Sequence, residues 1–251
     1  MNLRVVDREI DDDDRDEDER PFWEQGRWQM SAAFLFLALV IGLGAYAFGG
    51  DDTGAGVADS GPVIGGLGPD GSRPQQCRTN DAVQTLPTTA PRDVTWSDLN
   101  GAPVPKSASA GPLKTTGPLR WCFAHTPMGA VMAANTIPRQ MSGPDWRVVT
   151  QQQLVPGLSR DYFESMRESM NDPATTQSTT EVIGFALVSY TPDSAVVKIL
   201  VRQANLVFAS VNYTVDWDGV DWKLRALSTG GLYDVVGEVY STAGFVMWKE
   251  S

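Results

Sequence analysis

The chain has 251 residues, 42% of them hydrophobic, with two cysteines, one histidine and a formal net charge of −11. That charge argues against a nucleic-acid binder, because holding phosphates requires a basic patch or stripe. One histidine and two cysteines without CxxC spacing argue equally against a zinc site.

The acidity is concentrated at the start: residues 1–27 hold eleven acids and five arginines, net −6, leaving −5 for the rest. Residues 1–29 read as a disordered acidic tail, since blocks of like charge stay solvated. Phe22 and Trp23 beside them could anchor the tail on a basic cytoplasmic partner. Nineteen uncharged residues follow, Met30 to Phe48. As a helix they span about 28 Å, close to the hydrocarbon thickness of a bilayer. A cleaved signal peptide would have a shorter apolar core and a basic head, so residues 30–48 are expected to be an uncleaved transmembrane helix. Arg4, Arg8, Arg15, Arg20 and Arg27 precede the span and no Lys or Arg follows until Arg73. The positive-inside rule then places the N-terminus in the cytoplasm and everything beyond about Gly49 outside the cell membrane.

Residues 49–73 are glycine-rich, with nine glycines between Gly49 and Gly71, and read as a tether. Residues 74–118 carry many prolines and threonines together with Cys77, Trp96 and Leu99, and are expected to be extended and partly packed on the domain. Cys77 and Cys122 both lie on the exported side, where a structural disulfide between them can persist.

The compact region, residues 119–251, is expected to start with helices. Thr126 is suited to an N-cap and Pro127 to the first helical position, and the helix is expected to end before Pro138. A second helix covers Trp146 to Leu154. A third begins after Ser159, with Tyr162, Phe163, Met166 and Met170 forming one apolar face. Strands follow at Thr180 to Thr191, Ala195 to Arg202 and Val207 to Trp217, the last two with alternating apolar positions. After Asp218-Gly219, Trp222, Leu224 and Ala226 continue the buried face. A four-residue loop, 218–221, pairs Trp217 with Trp222 and avoids setting Asp216 against Asp221. Val235 to Tyr240 is a short helix or strand. Helices followed by an antiparallel meander imply an α+β domain with helices covering one face of a curved sheet.

This helix order and the Trp-Asp-Gly-x-x-Trp hairpin (Trp217, Asp218, Gly219, Trp222) resemble the nuclear transport factor 2-like, or cystatin-like, superfamily over residues 119–227. The resemblance implies a cone-like domain. With a cytoplasmic tail, one span, a tether and an exported domain, the whole chain looks like the bitopic assembly component of conjugation and type IV secretion machines. The segment Trp121 to Pro127 is similar to stretches in membrane proteins of mobile elements in high-GC Gram-positive bacteria. The longer proline-rich lead-in and the extra segment 231–251 depart from that pattern. The implied role is a scaffold associating with other envelope proteins, or with itself, beside the lipid bilayer. The alternative is a membrane-anchored module that binds or senses a lipid or cell-envelope ligand.

No catalytic residue, cofactor or metal is expected. His125, just before a helix N-cap, suits a packing or hydrogen-bonding role, and no GxSxG, HExxH or phosphate-binding glycine loop is present. Enzymes of the superfamily resembled place a carboxylate in the cone, which makes Asp161, Glu164 and Glu181 the residues to watch. Met128, Met132, Met166 and Met170 fit core packing.

Overall fold

The structure, a computed structural model, describes residues 64–66, 72–74, 77, 79–170, 180–203 and 207–249. All belong to the unit that begins at Ser60. The expected tail, 1–29, the span, 30–48, and the tether before Ile64 lie outside the described residues. No described helix is long and apolar enough to cross a membrane.

Two hairpins precede the first helix. Strands β1 (Thr95–Leu99) and β2 (Ala102–Lys106) pair antiparallel, as do β3 (Lys114–Thr116) and β4 (Leu119–Trp121). The first hairpin turns on Asn100 and Gly101, both with positive φ, 52° and 76°, the signature of a two-residue turn matched to strand twist. Pro103 and Pro105 sit at alternate positions of β2, so their missing N–H groups face one edge, and among the described residues β2 pairs with β1 alone. Folded structure thus begins well before Leu119: Ala102 and Val104 are buried, and so is Ile64, which the sequence assigned to the tether.

Helix α1 (Pro127–Gln140) starts as its sequence dictates, with the Thr126 side chain accepting from the Gly129 N–H at 3.0 Å. It is the central helix, with Ala130, Val131, Met132, Ala133 and Ile137 all fully buried. Contrary to expectation it continues through Pro138 to Gln140. Proline costs one N–H and a clash with the carbonyl four residues back, but burial of Ile137, Gln140 and Met141 around it holds the last turn in place. Gln140 and Gln153 both donate to the Arg120 carbonyl, and the Arg120 N–H donates to Gln140 at 2.6 Å, tying the helices to β4.

Helices α2 (Trp146–Gln153) and α3 (Leu158–Glu168) follow. On α3 only Phe163 is buried; Tyr162 and Met170, expected on a covered face, are 51% and 56% exposed. Tyr162 and Phe163 are adjacent in sequence and so point about 100° apart around the helix axis, and packing that covers Phe163 leaves Tyr162 at the margin.

Strands β5 (Glu181–Tyr190), β6 (Ser194–Arg202) and β7 (Phe208–Trp217) form an antiparallel meander, and β8 (Trp222–Leu224) pairs with the end of β7, Trp217 opposite Trp222. This is the register set by the four-residue turn. Ala195, Val197, Ile199 and Val215 fill the core, and Leu200 and Ser210, a pair of the opposite parity, are buried too. The final segment is strand rather than helix. It supplies β9 (Asp234–Val239), paired with the first half of β7, and β10 (Val246–Met247), paired with β5. Residues 240–245 therefore pass from one edge of the sheet to the other. The molecule is α+β, with three described helices and antiparallel sheets.

Candidate functional site

Three stretches distant in sequence meet at the end of the sheet marked by Tyr190, Ser194 and Trp217: the lead-in around Arg73 to Gln84, the segment Trp121 to Thr126, and the turn Asp218 to Asp221. Cys77 and Cys122 are bonded there, both fully buried, with Cα atoms 5.3 Å apart, inside the range a disulfide spans. Cys122 has φ of 73°, rare for a residue with a Cβ. Its conformation is held by its N–H, which donates to Asp221 Oδ2 at 2.6 Å, and by its carbonyl, which accepts from the Leu113 N–H. Gly111 lies so close beneath that a Cβ there would stand 2.7 Å from the Cys122 oxygen.

Asp221 is the buried centre of this clasp. Besides Cys122 it accepts from the Phe123 and Trp222 N–H groups, each at 3.0 Å. Arg73 reaches in from the lead-in, its guanidinium 4.8 Å from the Trp217 ring centre. It donates to the carbonyls of Val220 and Phe123, to Thr79 Oγ1 and to Cys77 Sγ. Arg73 and Asp221 approach only to 3.7 Å, beyond hydrogen-bond length, so each is satisfied mainly by backbone groups. Burial drives both toward neutrality. The Asp221 carboxyl is pushed up to about 6 by desolvation, against the opposing pull of the Cys122 N–H, Arg73 and the other two N–H donors. The Arg73 guanidinium is lowered by its own burial, with Asp221, Asp81 and Asp218 pulling it back up.

His125 belongs to the same cluster. Its ring stacks on Trp217 at 4.0 Å and meets Trp222 edge-on at 5.8 Å, and its Nε2 lies 2.6 Å from the Pro192 carbonyl, which fixes Nε2 as the protonated donor. Its backbone N–H donates to Asp81 Oδ1 and its carbonyl accepts from Gln84, which also accepts from the Tyr190 hydroxyl. These contacts lock β5 and the lead-in to the helix start. Among the described residues the imidazole hydrogen-bonds to the Pro192 carbonyl and to no nucleophile or carboxylate side chain.

The three carboxylates singled out by the sequence are not assembled. Asp161 pairs with its neighbour Arg160, Glu164 accepts from Gln151, and Glu181 pairs with Arg202 across the β5–β6 ladder. The sequence did not mark Arg73, Asp81 or Asp221 as members of a site. The available signal was Asp221 itself, an acid directly before a core tryptophan, where solvation is lost and only backbone donors can replace it.

The family model described as a domain of unknown function (DUF8175) matches residues 58–247. The chain belongs to this family. The matched range takes in every part of the clasp, from Arg73 to Trp222, and both edge strands of the C-terminal segment. No curated protein and no solved structure matches the chain.

Proposed function

We propose that this chain is a single-pass, membrane-anchored assembly factor of a conjugative or secretion machine, working by association of an exported domain of nuclear transport factor 2-like, cone-like build. The observation that carries the reading is the exposed apolar surface at α3. Leu158, 87% exposed, and Tyr162, 51% exposed, lie one turn apart on that helix, and Met170, 56% exposed, follows two residues beyond its end. Isolated exposed apolar residues are ordinary, but several on one element mark an interaction surface. The order of helices before an antiparallel meander supports the fold reading, and the uncharged run 30–48 supports the anchor.

The test is Leu158→Glu with Tyr162→Glu in the full-length chain in its host. Transfer or secretion should be lost, together with cross-links to envelope partners, while the melting temperature shifts little. Retention of both transfer and cross-links would sink the reading.

A further inference from the structure

Opposite the clasp, at the end of the sheet where Glu181, Arg202 and Phe208 pair across β5, β6 and β7, the structure opens a groove of about 460 Å³. That volume falls within the range of small-molecule pockets, roughly 300–1,000 Å³. Its walls come from four separate elements: Trp96 of the first hairpin, Val182 of β5, Phe208 of β7, and Met247 and Trp248 of the C-terminal segment. Trp96 and Trp248 meet edge to face at 5.6 Å, and Trp248 leans on Phe185 of the core at 4.7 Å, so the aromatic wall is braced from behind.

The charged groups of the lining are Glu181, Arg202 and Lys249. Arg202 and Glu181 neutralise each other through their ion pair. Lys249 lines the same groove, is exposed, and makes no ion pair among the described residues. Among the described residues the groove therefore presents apolar walls beside one positive charge that has no ion-pair partner. Its complement has an aliphatic body and a single negative head. A dianionic or bulky polar head would leave charge unmatched, and an uncharged hydrocarbon would leave the lysine unused.

We propose that this groove binds the carboxylate of a free medium- or long-chain fatty acid, with the chain against Trp96, Val182, Phe208, Met247 and Trp248 and the head at Lys249. The site shares no residue with α3, so binding and association through that helix stand or fall separately.

The experiment uses the full-length chain in nanodiscs of zwitterionic phosphatidylcholine, titrated with laurate and followed calorimetrically against empty nanodiscs. One saturable site per chain is expected. Lys249→Gln should weaken laurate about two- to fivefold, the range for an exposed ion pair, and Lys249→Glu more, with Lys249→Arg restoring it. Dodecanol, with the same chain and no charge, should bind the unaltered protein as weakly as laurate binds the Lys249→Gln variant. Val182→Glu, which places a carboxylate on the apolar wall, should abolish saturable binding, with circular dichroism confirming the fold. Heat no greater than that of empty nanodiscs overturns the proposal. So does equal binding of laurate and dodecanol with indifference to Lys249→Glu.

Discussion

Asp221 receives three backbone N–H groups and has a guanidinium 3.7 Å away, yet full burial outweighs them and lifts its carboxyl to about 6. In the unfolded chain it titrates near 4. Between those values the folded state holds the extra proton, so this group's stabilising contribution is complete below about pH 4 and is lost as pH rises through about 6. The loss is about 3 kcal/mol for a shift of two units. Denaturant unfolding between pH 4 and 7 should show this slope, and Asp221→Asn should remove it while lowering stability throughout, because the amide turns a donor toward donors. Unchanged pH dependence in that variant would refute the assignment. Trp222 is fully buried and donates to the Ala124 carbonyl at 2.9 Å; Trp222→Ala should cost about 3–5 kcal/mol. His125→Ala removes a stacked ring and one hydrogen bond and should cost about 1–2 kcal/mol, leaving the fold and any transfer phenotype in place.

Among the elements, those whose signals are local were legible. Thr126-Pro127 announces α1, alternation announces β6 and β7, and charge avoidance at Asp216 and Asp221 selects the turn that pairs Trp217 with Trp222. The hairpin of β1 and β2 was equally local, in Asn100-Gly101, but Pro103 and Pro105 hid it, because proline lowers strand propensity wherever both edges need pairing. Burial that depends on distant partners could not be read: α1 runs through Pro138 because its last turn is enclosed, and α3 shows Tyr162 to solvent because the core reaches only the Phe163 side of its apolar face. The clasp was half visible, since two cysteines on the side expected to be exported suggest a bridge whereas Arg73 and Asp221 meet only in three dimensions. Cys77→Ser with Cys122→Ser opens a loop spanning 45 residues and should cost about 4 kcal/mol on the chain-entropy model. Arg73 and its neighbours should then become protease-sensitive before the sheet does, as limited proteolysis with mass spectrometry would show. Simultaneous cleavage everywhere would mean that the lead-in is no separate unit of stability.

At the scale of the whole chain, topology and closure each make a prediction. If the arginine asymmetry sets orientation, protease added outside spheroplasts should cut the glycine-rich stretch before Ile64, which is buried, release the domain and spare the acidic head. Protection of the domain would reverse the assignment. Removing residues 232–251 strips β9 from β7 and β10 from β5, and sheet edges left open recruit other chains. The truncated protein should sediment as aggregates; a monomer melting with the intact chain would refute this. The same wrap carries a consequence for timing. A chain made N-terminus first presents α1 and the meander early, but the first half of β7 and the outer edge of β5 receive their strands only when residues 234–247 have emerged. Closure of the sheet thus waits for these two strands, and until they pair, both edges stay open to solvent and to other chains.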